Sequence, residues 1–243
     1  MPRQNRVDPF GEIASVPERG TLMGNRGILH AAASGHAAAS RIVRRWATRA
    51  WIACGLQFKG RHRAVMSPNS YTELFFLDEA TSLAAGHRPC AECRRADFLR
   101  FRAAWLAGNP GHGLGATPRI GEIDRVLHAE RVEGVGRAAR KRTHRAPLSG
   151  LPDGAMVVRD AAPAVPLLHW SGALHAWSFG GYGPSLALSP DEAVTVLTPP
   201  STVAAIRAGY VPSVHPSIRV GPNAHSPVAA PTQPGSRDRR GMS

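Results

Sequence analysis

Apolar and polar positions change their period several times along the chain, and each change marks an element. From Arg94 to Gly108, "RRADFLRFRAAWLAG" sets Phe98, Phe101 and Trp105 at the i, i+3, i+7 spacing of one helical face. Arg94, Arg95, Arg100 and Arg102 fall mostly off that face, so the spacing predicts an amphipathic helix that stops at Gly108. Thr117-Pro118 opens a second helix, in which Ile120, Ile123 and Leu127 share a face. Upstream the texture is that of strands. "WIACGLQF" (51 to 58) is rich in strand formers, and Lys59-Gly60 sits where a tight turn would reverse it into "RHRAVM", so a hairpin is expected. "YTELFFL" (71 to 77) reads as a further strand, after which Asp78 caps a short helix, "EATSLAA", that ends at Gly86. "TLMGNRGILH" (21 to 30) has strand residues at its two ends around a turn or bulge, and one short strand is expected around Phe10 to Ile13. "AAASGHAAAS" (31 to 40) reads as a surface loop.

Past Pro152-Asp153-Gly154, "AMVV", "VPLLHW", "ALHAWS" and "AVTVL" are short strands bounded by turn signals. Ser201 is placed to cap "TVAAIRAG", and from about Val211 the chain is rich in proline, serine and arginine without periodicity. The expected class is α+β: a mixed domain with a helical extension over 1–147, a small β-rich domain over 148–212, and a disordered tail over 213–243. Between the first two lies "RAARKRTHR" (137 to 145), readable as solvated surface or as a phosphate-contacting arm.

Charge adds a partner to this picture. Lys and Arg total 30 against 17 Asp and Glu, a formal net charge of +13, and only Lys59 and Lys141 are lysines. Arginine's planar fork suits phosphate, so nucleic acid is the first partner implied; a GC-rich coding bias would produce the same arginine excess without any ligand. No stretch approaches the roughly 20 apolar residues of a membrane helix, and "MPRQNRVDPF" lacks the apolar core of a signal peptide, so a cytoplasmic address is expected.

Three cysteines cannot close a disulfide framework, and two of them stand in "GHRPCAEC" (86 to 93). A CxxC turn delivers two thiolates to a tetrahedral zinc from one knuckle. The redox alternative needs the first cysteine at a helix N-terminus directly after a strand, whereas here a predicted helix and Gly86 precede it. A small packed loop accounts for the pair as well.

"FFLDEATSLAAGHRPCAECRR", from Phe75 to Arg95, resembles the second half of the metal-binding domain of Ada, the bacterial DNA-methylphosphotriester repair and response protein. That domain has the same order of strand, short helix, small-residue turn and RPCxxC knuckle. The resemblance implies a zinc-stabilised domain with Cys90 and Cys93 as ligands, and it sets His87 where the family has an aromatic residue. The family's first two zinc cysteines, one of them its methyl acceptor, have no paired counterpart here.

Cys54 is the cysteine left as a third ligand, with His30, His36 and His62 as candidates for the fourth. Across a two-residue turn at Lys59-Gly60, His62 shares a face with Gln57 rather than Cys54 and is displaced about 10 Å along the strand. His30 escapes that conflict, so the expected set is Cys54, Cys90, Cys93 and His30 around Zn2+; His30 reads equally as a half-buried strand histidine. Arg41, Arg44, Arg45, Arg49, Arg61, Arg63, Arg94 and Arg95 would form the basic surface. The expected role is zinc-dependent nucleic-acid binding of a repair or regulation type. The rivals are a DNA- or RNA-acting enzyme with water or an alkyl-accepting Cys54 at the metal, and a protein-interaction adaptor.

Overall fold

The computed structural model describes residues 2–31, 41–60, 64–134, 136–187 and 189–218, and the fold is α+β. The N-terminal sheet is built from β1 (Gln4–Val7), β2 (Ile13–Ser15), β3 (Leu22–Asn25), β4 (Ile52–Cys54), β5 (Leu74–Phe76) and β6 (Arg88–Pro89), in the order β2-β1-β5-β3-β4-β6. Most neighbours are antiparallel, but β1 with β5 and β4 with β6 run parallel. β4 therefore has β3 on one edge and β6 on the other, which leaves it no edge for the expected hairpin partner. Of that partner, residues 61–63 lie outside the described residues.

A parallel neighbour requires a crossover. It is supplied by α1 (Glu79–Ala84), which starts where expected: Asp78 Oδ1 accepts from the Thr81 backbone N–H at 2.8 Å and from the Thr81 hydroxyl at 2.7 Å. All six helical residues are buried. Gly86 follows at φ +90°, and a Cβ there would come within 2.5 Å of Arg131 Cδ, so only glycine suits the turn.

α2 (Arg95–Gly108) buries Phe98, Phe101, Ala104 and Trp105, the face its spacing predicts. It packs with α3 (Ile120–Arg131) and α4 (Pro200–Arg207) around Phe101, Trp105, Ile123, Leu127 and Ile206. Gly108 meets the α4 backbone so closely that a Cβ would lie 2.4 Å from the Ala204 carbonyl oxygen.

The basic run is structured rather than loose. β7 (Val132–Glu133) pairs with β8 (Arg140–Lys141), and β9 (His144–Pro147) joins the C-terminal sheet beside β14 (Ala193–Val196). That sheet is antiparallel throughout, in the order β13-β12-β11-β10-β14-β9, with β10 (Met156–Arg159), β11 (Ala162–Trp170), β12 (Ala173–Ser178) and β13 (Gly181–Leu186). Four of its six strands, β10, β11, β12 and β14, fall on the segments read from turn signals; β9, which starts at His144, and β13 do not.

α1 joins the two halves. Leu83 enters the three-helix core, while Leu77, Ala80 and Ala84 pack against Met156, Val158, Leu168 and Tyr182 of the C-terminal sheet. Residues 210–218 then cross the start of α1: Tyr210 Oη and the Ser213 N–H donate to Glu79, and Tyr182 Oη and the His215 N–H donate to Asp78. Residues 213–218, expected in the tail, are thus pinned by buried carboxylates; 219–243 lie outside the described residues.

Candidate metal centre

The parallel register of β4 on β6 sets Ala53 opposite Pro89, and the Cys90 N–H donates to the Ala53 carbonyl at 2.9 Å. One step further along both strands, Cys54 and Cys90 stand side by side. Cys93 returns to them through the turn that leads into α2, closed by Arg94 N–H to the Cys90 carbonyl at 3.3 Å. The three sulfurs lie within 4.8 Å of one another. Around a zinc ion with Zn–S of about 2.3 Å, tetrahedral thiolates stand roughly 3.8 Å apart, so the donors fit a metal with little movement.

The three thiols shift one another's acidity. The Cys54 thiol donates to Cys90 and, with the backbone N–H groups of Cys93 and Glu92 and against the cost of burial, brings Cys90 down to about 5. The Glu92 N–H stands 3.4 Å from Cys90 Sγ. Cys54, the donor in that bond and buried, is pushed up; Cys93 is pushed up chiefly by burial. Three convergent sulfurs could hold a cation, since a bound metal ion deprotonates coordinating thiols outright.

Three thiols in one cluster also separate this site from a simple dithiol. A two-residue strand, β6, does precede Cys90, and α2 begins just after Cys93, which is nearer to the redox arrangement than the sequence suggested. Cys54, brought in from β4, distinguishes the two.

His30 is not brought to the cluster. Its Nδ1 is 2.7 Å from Thr72 Oγ1 and its Nε2 is 3.2 Å from the Ser67 carbonyl, so both ring nitrogens are engaged in holding the loop before β5. Among the described residues no fourth His, Cys, Asp or Glu joins the three cysteines. His36 and His62 lie outside the described residues. His87 is buried away from the cluster, its ring centroid 4.6 Å from that of Phe76 and 5.4 Å from that of Trp51. A groove of about 510 Å3 runs beside the thiols, lined by Met23, Ile52, Leu56, Phe58 and Tyr71.

The arginines divide by environment. Arg41, Arg44, Arg49 and Arg95 are exposed, and Arg45 is exposed but pairs with Glu12. Arg94 is withdrawn from solvent into pairs with Glu79 and Asp97, both at 2.7 Å, and its guanidinium serves the fold rather than a partner. Arg61 and Arg63 lie outside the described residues. His169 and His175, which flank the turn between β11 and β12, are both buried within the C-terminal sheet rather than gathered into a site.

Compared with family models, curated proteins and solved structures, the chain matches none of them. Among the described residues no helix is long and apolar enough to cross a membrane.

Proposed function

We propose that Cys54, Cys90 and Cys93 hold a zinc ion and that the chain is a zinc-dependent nucleic-acid-binding protein with a role in repair or regulation. The observation that carries the metal is the convergence of three sulfurs from β4, the end of β6 and the turn before α2 within 4.8 Å. Thiolate ligands select zinc among the common divalent ions of tetrahedral sites. The order of strand, short capped helix and RPCxxC knuckle that resembles the Ada metal-binding domain supports the same ion. Nucleic acid is supported by the net charge of +13 and by the exposed arginines Arg41, Arg44, Arg49 and Arg95.

Elemental analysis of the purified full chain tests the metal. One zinc per chain is expected, lost in Cys54→Ser, Cys90→Ser and Cys93→Ser and kept in His30→Ala, whose imidazole is committed to Thr72 and Ser67. Wild-type protein without zinc would overturn the reading. For nucleic acid, fluorescence anisotropy with a labelled oligonucleotide across a salt series should give a log–log slope of about −0.7 to −0.9 per phosphate contacted. Affinity independent of salt would point to the adaptor instead.

The groove beside the thiols favours a second reading, an enzyme acting on nucleic acid, in which a metal with three protein ligands keeps a coordination position for water or substrate. Zinc retained in both His30→Ala and His62→Ala would support that open site; zinc lost in His62→Ala would support a closed, structural one.

A further inference from the structure

At the far end of β4 from the cysteines, positive charge is buried with no direct ion pair among the described residues. Arg26 and Arg131 are each 1 % exposed, and their guanidinium carbons lie 4.2 Å and 4.0 Å from the Trp51 ring, one on each contact. Their hydrogen bonds go to neutral acceptors. Arg26 Nε donates to His87 Nε2 at 3.1 Å and its Nη1 to the Gly11 carbonyl at 3.0 Å. Arg131 donates to the carbonyls of Gly86 and Arg49, both at 2.6 Å. Lys141 Nζ donates to the Ala84 carbonyl at 2.5 Å. Arg26 Nη2 and Arg131 Nε are buried with no hydrogen-bond partner among the described residues.

Carboxylates do not make up the deficit. Asp124, which faces Arg131, is committed through both oxygens to Arg88. Asp8 acts on Arg26 and Lys141 from beyond ion-pair distance, and burial lifts its own pKa to about 6. Arg26, Arg131 and Lys141 line one cleft, whose mouth carries Arg45 and Arg140, each tied to one surface carboxylate, Glu12 and Glu133. The cavity is small, about 20 Å3, room for little more than one water-sized group, so an oxyanion would reach into it with an oxygen and stand otherwise at its mouth.

We propose that the cleft of Arg26, Arg131 and Lys141 is an oxyanion site that takes the phosphate group of a phosphate monoester, with the rest of the ligand outside against Arg45, Arg140 and Trp46. Unpartnered guanidinium N–H groups are the donors that phosphate oxygens accept from best, and several buried cations favour a dianion over chloride or a carboxylate. The monoester comes either from a free nucleotide or from the end of a nucleic-acid strand. The inference stands apart from the metal reading, because zinc content and phosphate response are measured separately.

The test uses the full chain in chloride buffers of matched ionic strength. Inorganic phosphate and AMP should raise the thermal midpoint in a saturable way, and Lys141→Met should lower phosphate affinity about tenfold, the equivalent of one charged hydrogen bond. In anion-free buffer Lys141→Met should be at least as stable as wild type, since it removes a buried charge. If that variant fails to fold, Arg140→Ala at the exposed rim carries the same comparison. Anisotropy with 5′-phosphorylated and 5′-hydroxyl versions of one oligonucleotide separates the sources: tighter binding of the phosphorylated strand assigns the strand end, and equal binding alongside an AMP response assigns the free nucleotide. No shift of the midpoint by phosphate or AMP, or the same affinity in wild type and the variants, would overturn the proposal.

Discussion

Arg88 and Asp124 meet as two parallel hydrogen bonds of 2.7 Å and 2.8 Å in a buried site, and this pair ties the strand that carries the cysteine knuckle to α3. Asp124→Asn would leave a guanidinium buried with half its partner, so a loss of about 3–5 kcal/mol is expected in denaturant unfolding. A pair of this kind gives position at the expense of desolvation, and here the position it holds is two residues from Cys90. Lys141 shows the opposite case, a charge without a partner. Burial, reinforced by Arg26 and Arg131 and opposed by Asp8, lowers its pKa to about 7 from an unfolded value of 10.5. Between those two values the unfolded chain holds a proton that the folded chain has released, so stability rises with pH. The thermal midpoint of wild type should climb between pH 7 and 9, and in Lys141→Met that climb should flatten.

Among the elements, α1 is short yet sets most of the architecture, because the Asp78 carboxylate accepts from the first helical turn, from Tyr182 and from the His215 backbone at once. Asp78→Ala should therefore cost more than the roughly 1 kcal/mol of a lost cap, and hydrogen exchange should show residues 210–218 losing protection first. This helix, like α2 and four of the six C-terminal strands, was legible in the sequence: its signals are local, a capping residue, a period, a turn. β1 was not, because "QNRV" is four residues long and buries an asparagine beside a valine. β6 was hidden by its length of two residues and by Pro89, and its pairing with β4 spans a crossover that no local period reports. The metal site divides along the same line. Cys90 and Cys93 announce themselves by spacing, and Cys54 could be found only by elimination; His30 was misplaced because its partners, Thr72 and Ser67, lie some forty residues away in sequence. The buried cations gave one faint signal, a lysine at 141 in a chain that otherwise uses arginine almost everywhere.

On the scale of the whole molecule, two sheets and a helical cluster share α1 as a common wall. A fragment ending at residue 147 would expose Leu77, Ala80 and Ala84 where the C-terminal sheet now covers them, and it would lack α4 from the helical core. Circular dichroism of that fragment should show helix without a cooperative melt, while the full chain melts in one transition. The crossing of residues 210–218 over Asp78 and Glu79 also imposes an order on biosynthesis. All three cysteines lie within the first hundred residues, whereas Asp78 and Glu79 stay uncovered until more than a hundred further residues have been made. The nascent chain thus passes through a long interval in which its cysteines are complete and its scaffold is not, and for that interval the two-residue pairing of β4 with β6 stands without the segment that later covers α1.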